Sequence, residues 1–209
     1  MDHNQETFNT WNKVAKLYQE KFSGLRIYDR SYDEFYSTLK NKNARLLDIG
    51  CGPGIITGYL LSKNPDLLID GIDISPNMIS LAQKNYPKAT FQVMDSRDIK
   101  KIRQKYHGII CGFCLPYLSE HEATSLIKDV YDLLNENGTF YISFVDGDPV
   151  NSGYKTASTG DRTYFNYYKT DFLIDKLTSA GFEIISSLQI AYELSNSGSE
   201  LHTVLISKK

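Results

Sequence analysis

What this chain of 209 residues has little of narrows it first. It holds three cysteines, Cys51, Cys111 and Cys114, too few and odd in number for a disulfide framework. The expected state is reduced thiols in a cytoplasmic protein. Cys111 and Cys114 do form a C-x-x-C. They sit inside the apolar run from Ile109 to Leu118, with no second such pair and no His-x-His partner. They read as buried structural thiols, and no metal site is expected. No apolar run reaches the ~18 residues of a membrane span. Met1 to Glu6 carry no basic region followed by an apolar one, so no signal peptide is expected. Nor is one sign of charge in excess: 23 Lys and Arg stand against 25 Asp and Glu. That balance counts against a protein built to coat nucleic acid or an anionic membrane. The compositional oddity is one Trp against 15 Tyr.

The chain shows no internal repeat or Pro-rich linker, so one domain over 1–209 is expected. Phe8, Trp11, Val14, Ala15, Tyr18 and Phe22 recur at helical spacing and predict an amphipathic helix ending near Gly24. A second helix is expected over 29–40, and together they form an N-terminal helical cap over 1–43. From Arg45 the pattern alternates. Strands are predicted at 45–49, 67–72, 90–94, 106–113 and 139–145. Helices are predicted at 55–62, 76–84 and 120–134. Ser75 caps the second of these, and Asn137-Gly138 closes the third. Residues 146–163 read as a loop within a lid-like insertion over 146–169. A helix over 170–180 and strands over 182–188 and 201–206 follow, the last two joined by a turn at Asn196-Ser197-Gly198-Ser199. Such alternation means an α/β, doubly wound, mostly parallel sheet, and an antiparallel final pair is a common edge addition.

The most informative stretch is Leu46-Leu47-Asp48-Ile49-Gly50-Cys51-Gly52-Pro53-Gly54, which leaves the first strand and opens a helix. Glycines there allow a sharp turn and close approach of a ligand. Their spacing departs from the dinucleotide fingerprint G-x-G-x-x-G, whose last glycine would fall at 55, where Ile55 stands. Asp73 ends the second strand 19 residues after Gly54, placed to take hydrogen bonds from a ribose diol. Asp95 ends the third strand and can accept from an adenine amine.

These strings, LLDIGCGPG, GIDIS, the S-P-N-M-I-x-x-A helix and MDSRD, resemble the class I S-adenosylmethionine-dependent methyltransferases. The resemblance covers roughly residues 7–209 and is strongest through Asp95. It implies a Rossmann-like, seven-stranded sheet with an antiparallel last strand, and S-adenosyl-L-methionine as cofactor. By that resemblance Asp48, Gly50, Cys51, Gly52 and Gly54 hold the methionine part of the cofactor. Asp73 takes the ribose hydroxyls, and Ile74 and Met78 are further cofactor-binding residues. Asp95 and Ser96 take the adenine, with Met94 beside them, and Phe113 and Cys114 line the site after the fourth strand. The match loosens at that strand. Tyr106-His107 stands where the family often has an aromatic-Asp pair, and His107 reads as structural. The segment after the strand lacks the acidic or Asn-Pro-Pro-Tyr versions, which removes the signal for methylation of nucleobase amines or protein amides.

Methyl transfer from a sulfonium is an in-line displacement, and the protein's main contribution is positioning in a dry pocket. A general base is needed only where the nucleophile carries a proton. No such base is assigned; His121 and Tyr117 are candidates, with Asp146 and Asp148 behind them. The acceptor is expected to be a small molecule held by Tyr18, Tyr117, Tyr154, Tyr164 and Tyr168. Eight of the 15 tyrosines fall in the N-terminal cap and the insertion. The basic run Lys100, Lys101, Arg103, Lys105 reads as a solvated face. The expected partners are therefore a small-molecule acceptor, with no membrane, no nucleic acid, and a monomeric or homodimeric state. The alternatives are methylation of RNA or protein, or a nicotinamide-dependent oxidoreductase.

Overall fold

In the computed structural model, which describes residues 3–156, 160–194 and 198–209, β1 (Arg45–Ile49) lies near the middle of one seven-stranded sheet. Its partners are β2 (Leu68–Asp73) on one side and β4 (Tyr106–Gly112) on the other, both parallel. With β3 (Thr90–Val93), β5 (Leu134–Asp146), β8 (Glu183–Glu193) and β9 (Ser199–Lys208), the order is β3-β2-β1-β4-β5-β9-β8. β9 runs antiparallel to both neighbours. Every strand but β9 therefore points its carboxyl end to the same edge of the sheet. The sheet is the expected mostly parallel, doubly wound one with an antiparallel last strand.

Alternation along the strands builds two apolar faces. Leu47, Ile49, Ile109, Cys111, Phe140 and Ile142 pack on one face against α5 (Glu120–Leu133) and α6 (Thr170–Ser179). Leu46, Ile69, Ile110, Tyr141, Val204 and Ile206 pack on the other, against α2 (Asp29–Ser37) and α3 (Ile55–Lys63). A smaller cluster, Cys51, Ile79, Ala82 and Phe91, seats α4 (Pro76–Asn85). The Ser75 hydroxyl accepts from the Met78 N–H at 3.2 Å, the N-cap its sequence position predicts. Ser119 and Glu122 form a reciprocal capping box on α5.

Three expectations need correction. Asn137-Gly138 does not close α5. The helix ends at Leu133 and the chain turns directly into β5. Asn137, at φ 63°, absorbs a register shift between Leu134 opposite Tyr106 and Thr139 opposite Gly108. The residue types that cap a helix by left-handed backbone also make a strand bulge. Residues 146–163 are not a plain loop. A short 3-10 turn, Pro149–Asn151, leads into a hairpin of β6 (Gly153–Thr156) and β7 (Arg162–Phe165). None of the residues in these short strands is buried, so they carry no core pattern to be read. The last two strands run longer than 182–188 and 201–206. β8 alternates half-buried and exposed residues, and its mostly polar outer face hides its length. The turn expected at residues 196–199 falls partly outside the described residues.

α1 (His3–Phe22) roofs the carboxyl edge of the sheet. Asn12 fastens it to the start of α4. Its side-chain oxygen accepts from the Ser75 hydroxyl at 2.9 Å and the Asn77 N–H at 3.0 Å. The β6–β7 hairpin latches onto the same helix. Thr10 donates to the Arg162 carbonyl at 2.7 Å, the Tyr164 N–H donates to Thr7 at 3.0 Å, and Arg162 pairs with Glu6 at 2.9 Å. Among the described residues no helix is long and apolar enough to cross a membrane.

Candidate cofactor and acceptor site

In an open parallel sheet, ligands bind at the carboxyl ends where the strand order reverses. Here that point lies between β1 and β4. The turn after β1 is built by left-handed glycines, Gly50 at φ 66°, Gly52 at 53° and Gly54 at 86°. A Cβ on Gly54 would lie 2.8 Å from the Tyr86 ring. Gly54→Ala is thus expected to cost at least 2 kcal/mol, about 1 for the backbone and more for the clash, checked by urea unfolding. Gly52 is different. A Cβ there meets only Tyr18 at 3.8 Å and Met78 at 4.0 Å, because it would point into open cavity. That opening leaves room for a ligand to approach the backbone.

Asp73 organises the turn. One carboxylate oxygen accepts from the Gly52 N–H at 2.9 Å and the other from the Ser75 N–H at 2.8 Å. Each oxygen keeps a second lone pair for a ligand hydroxyl. Burial pushes the Asp73 carboxyl above its usual range, although the two N–H groups pull it back. Asp48 is 1% exposed and its carboxyl is pushed up to about 6, first by burial. The Thr57 hydroxyl donates to it at 2.7 Å. Asp95 is gripped by Arg97 through its guanidinium and its backbone N–H. Burial raises that carboxyl, but Arg97 outweighs burial and holds it low. Arg97 also reaches Glu122 at 3.1 Å and lines a cavity at this turn, a role its place in the MDSRD string did not announce.

Two cavities meet at this turn. The first, about 150 Å³, is lined at one end by Asp73, Ile74, Met78, Met94, Asp95 and Ser96. The second, about 280 Å³, reaches under α1 to Tyr28, Tyr32, Tyr192 and His202, with Asp48, Cys51 and Phe165 also in its wall. Trp11, Tyr18, Gly50, Gly52, Gly112, Phe113 and Tyr117 line both. Cys114 lines the first cavity, while Gly54 lines neither and shapes the turn. Phe113 stands between the two with a left-handed φ of 53°, held by hydrogen bonds from its N–H to the Ser143 carbonyl and hydroxyl. A non-glycine residue in that region costs about 1 kcal/mol or more, so the surroundings enforce it. The Trp11 indole N–H is buried with no hydrogen-bond partner among the described residues.

The expected acceptor tyrosines divide. Tyr18 and Tyr117 stand between the cavities, each edge-on to Trp11. Burial pushes the Tyr18 phenol up to about 12. Tyr154 and Tyr164 pair with each other on the hairpin and line neither cavity. Tyr168 is a core residue, 1% exposed, with its hydroxyl on the Leu118 carbonyl. Tyr168→Phe is expected to cost about 1 kcal/mol of stability and no ligand affinity, read by thermal unfolding with and without ligand. The base candidates also disperse. His121 is exposed on α5 and lines neither cavity. Asp146 accepts from Thr170, and Asp148 caps the 3-10 turn and pairs with Lys169. His107 accepts the Arg45 N–H at the far end of β4. The second cavity adds what pattern reading missed: Tyr192, Glu200 and His202. β9 is antiparallel, so its first residues, not its last, arrive at the carboxyl edge; Val145 pairs with His202 there.

The family profile of a methyltransferase domain matches residues 46–138, the stretch that builds the glycine turn and the three acid-tipped strands. Over that stretch the chain is similar to the class I S-adenosylmethionine-dependent methyltransferases. It is 32% identical over 123 residues to a putative methyltransferase, 235L, of Invertebrate iridescent virus 6, covering 55% of this chain and 45% of that one. It is 34% identical over 101 residues to trans-aconitate 2-methyltransferase of Enterobacter sp. (strain 638), covering 48% and 39%. The matched stretch spans less than half the length of these relatives. In fold it superposes on magnesium protoporphyrin IX methyltransferase of Synechocystis PCC 6803, solved with bound S-adenosylhomocysteine. The TM-score there is 0.75 at 17% identity, over all of both chains. The residues of this methyltransferase fold fit the family's cofactor: an open glycine cradle, a carboxylate with free lone pairs beside it, and an unpartnered indole N–H in the shared wall.

Proposed function

We propose that the chain transfers a methyl group from S-adenosylmethionine to a small acceptor seated in the aromatic cavity under α1. The observation that carries this reading is the pair of cavities that share one wall. The first carries Asp73, Asp95 and Ser96 beside apolar Ile74, Met78 and Met94, as a nucleoside with its hydroxyls and its flat base requires. The second is aromatic and roofed, as a small, partly planar acceptor requires. Asp73 and Ser96 would hold the nucleoside, Gly50 and Gly52 its backbone side, and Asp48 the cationic end. The bound cofactor supplies a methyl group already activated by a positive sulfur. Tyr18, Trp11 and Phe113 exclude water from the shared wall and fix the acceptor against it, which is the main contribution such a displacement needs. The basic run Lys100 to Lys105 lies by the amino end of β4, opposite the cavities, and Lys101 is paired with Asp98. That placement favours a small acceptor over RNA.

Calorimetry tests the reading. Binding of S-adenosylmethionine and S-adenosylhomocysteine, with none of NAD, is the expected result. Binding of NAD without the sulfur compounds would move the chain to the oxidoreductase alternative.

A further inference from the structure

The aromatic cavity contains a buried polar chain that positioning alone does not explain. The Tyr28 hydroxyl lies 2.6 Å from His202 Nδ1. His202 Nε2 faces Glu200 Oε2 at 3.7 Å and has no hydrogen-bond partner among the described residues. Tyr28 is 7% exposed and His202 6%, and all three residues line the cavity. Their sources are far apart in sequence: the link between α1 and α2 supplies Tyr28, and the start of β9 supplies the other two. Phe113, at the wall shared with the cofactor side, packs on both Tyr28 and His202, with ring centroids 5.1 and 4.9 Å away. The chain therefore opens towards the place where the methyl group would be presented.

Charge settles the tautomer. The groups facing His202 are Tyr28, Tyr192 stacked on it at 4.9 Å, and Glu200. His202 beside it, and then the Tyr167 hydroxyl at 3.2 Å, hold Glu200 below the usual carboxylate range, with Lys155 adding to the effect. A carboxylate beside Nε2 favours the proton there. Nδ1 is then the bare nitrogen, and it accepts from the Tyr28 hydroxyl. Burial pushes the Tyr28 phenol well up, so it rests protonated. The order hydroxyl, imidazole, carboxylate is that of a general-base triad, in which the carboxylate orients the imidazole and supports its cation.

We propose that Tyr28, His202 and Glu200 form a proton relay, and that the acceptor is one whose nucleophile carries a proton, such as an aromatic hydroxyl or ring N–H. This rests on the methyl-transfer reading above. As the bond from acceptor to methyl forms and the methyl–sulfur bond breaks, its electron pair stays on sulfur. The acceptor's proton passes to the Tyr28 oxygen while Tyr28's own proton passes to His202 Nδ1. The imidazolium that results sits against Glu200. A carboxylate or thiolate acceptor has no proton to lose at neutral pH and would leave this relay without a task.

The probe is 4-nitrophenol, whose phenolate is coloured and whose own ionisation lies near neutrality. It is added to the full chain saturated with S-adenosylhomocysteine, just below the pH of that ionisation. An apolar pocket would favour neutral phenol. The relay predicts the reverse: a phenolate-to-phenol ratio that rises roughly tenfold when the probe binds. His202→Asn and Tyr28→Phe should each abolish the rise, while S-adenosylhomocysteine affinity by calorimetry and the circular dichroism spectrum stay as in the parent. A bound probe that stays neutral, a rise that survives His202→Asn, or a probe that does not bind would each overturn the relay. Failure of S-adenosylhomocysteine to bind would instead overturn the methyl-transfer reading, and calorimetry reads that separately.

Discussion

Asp73→Ala weakens S-adenosylhomocysteine binding at least tenfold, measured by calorimetry. Two effects add. The ligand's hydroxyls lose a charged acceptor, and a hydrogen bond to a charged group contributes about 1.5–3 kcal/mol, roughly one to two decades of affinity. The glycine turn also loses its clamp, because Asp73 holds the Gly52 and Ser75 N–H groups in place. The second effect appears as lost stability: each buried N–H left unpaired costs about 1–3 kcal/mol. Asp73→Asn separates the two. It keeps one acceptor oxygen for the turn and removes the charge, so affinity still falls while stability falls less. An affinity unchanged in both variants would contradict the assignment of Asp73 to the ribose.

Asp48→Asn makes the ligand-free protein more stable at neutral pH and a poorer binder. Burial raises the Asp48 carboxyl from 3.8 to about 6 in the folded chain. A raised pKa contributes stability that is fully present below about pH 4 and is lost as pH rises through about 6. Above that pH the folded protein carries a buried carboxylate at a cost of roughly 3 kcal/mol, since a tenfold change in proton affinity is worth about 1.4 kcal/mol. Asn removes that cost and can still accept from Thr57. A buried anion facing a cavity is compensated when a cation arrives. Affinity for S-adenosylmethionine should therefore fall as pH drops through about 6 in the parent, and lose that pH dependence in Asp48→Asn. Urea unfolding of the free protein across pH 4–8 checks the first half, and calorimetry across the same range checks the second. Parent and variant with parallel stability curves would contradict the burial argument.

Legibility in the sequence followed physical locality. The glycine turn, Asp48, Asp73 and Asp95 stand at the ends of short apolar strands, so a linear pattern places each at the carboxyl edge of a parallel sheet. Ser75 could be read as a cap because caps are local. Acceptor-side residues depend on long-range geometry. His202 and Glu200 reach the site only because β9 reverses direction, and nothing near residue 202 announces that. Tyr168 looked like its neighbours on the insertion, yet its register beside Asp146 sends it into the core. Tyr154 and Tyr164 face the hairpin's own surface rather than a cavity. The tyrosine excess raised the expectation of an aromatic lid from the N-terminal cap and the insertion; the tyrosines that line the second cavity are Tyr18, Tyr28, Tyr32, Tyr117 and Tyr192.

A crystal structure of the chain with S-adenosylhomocysteine tests the central claim most directly. The expected result is the adenosine between Asp73 and Ser96, the sulfur at the wall of Gly50 and Phe113, and the aromatic cavity beyond it left free for an acceptor. Adenosine lodged among Tyr28, Tyr192 and His202 would contradict it.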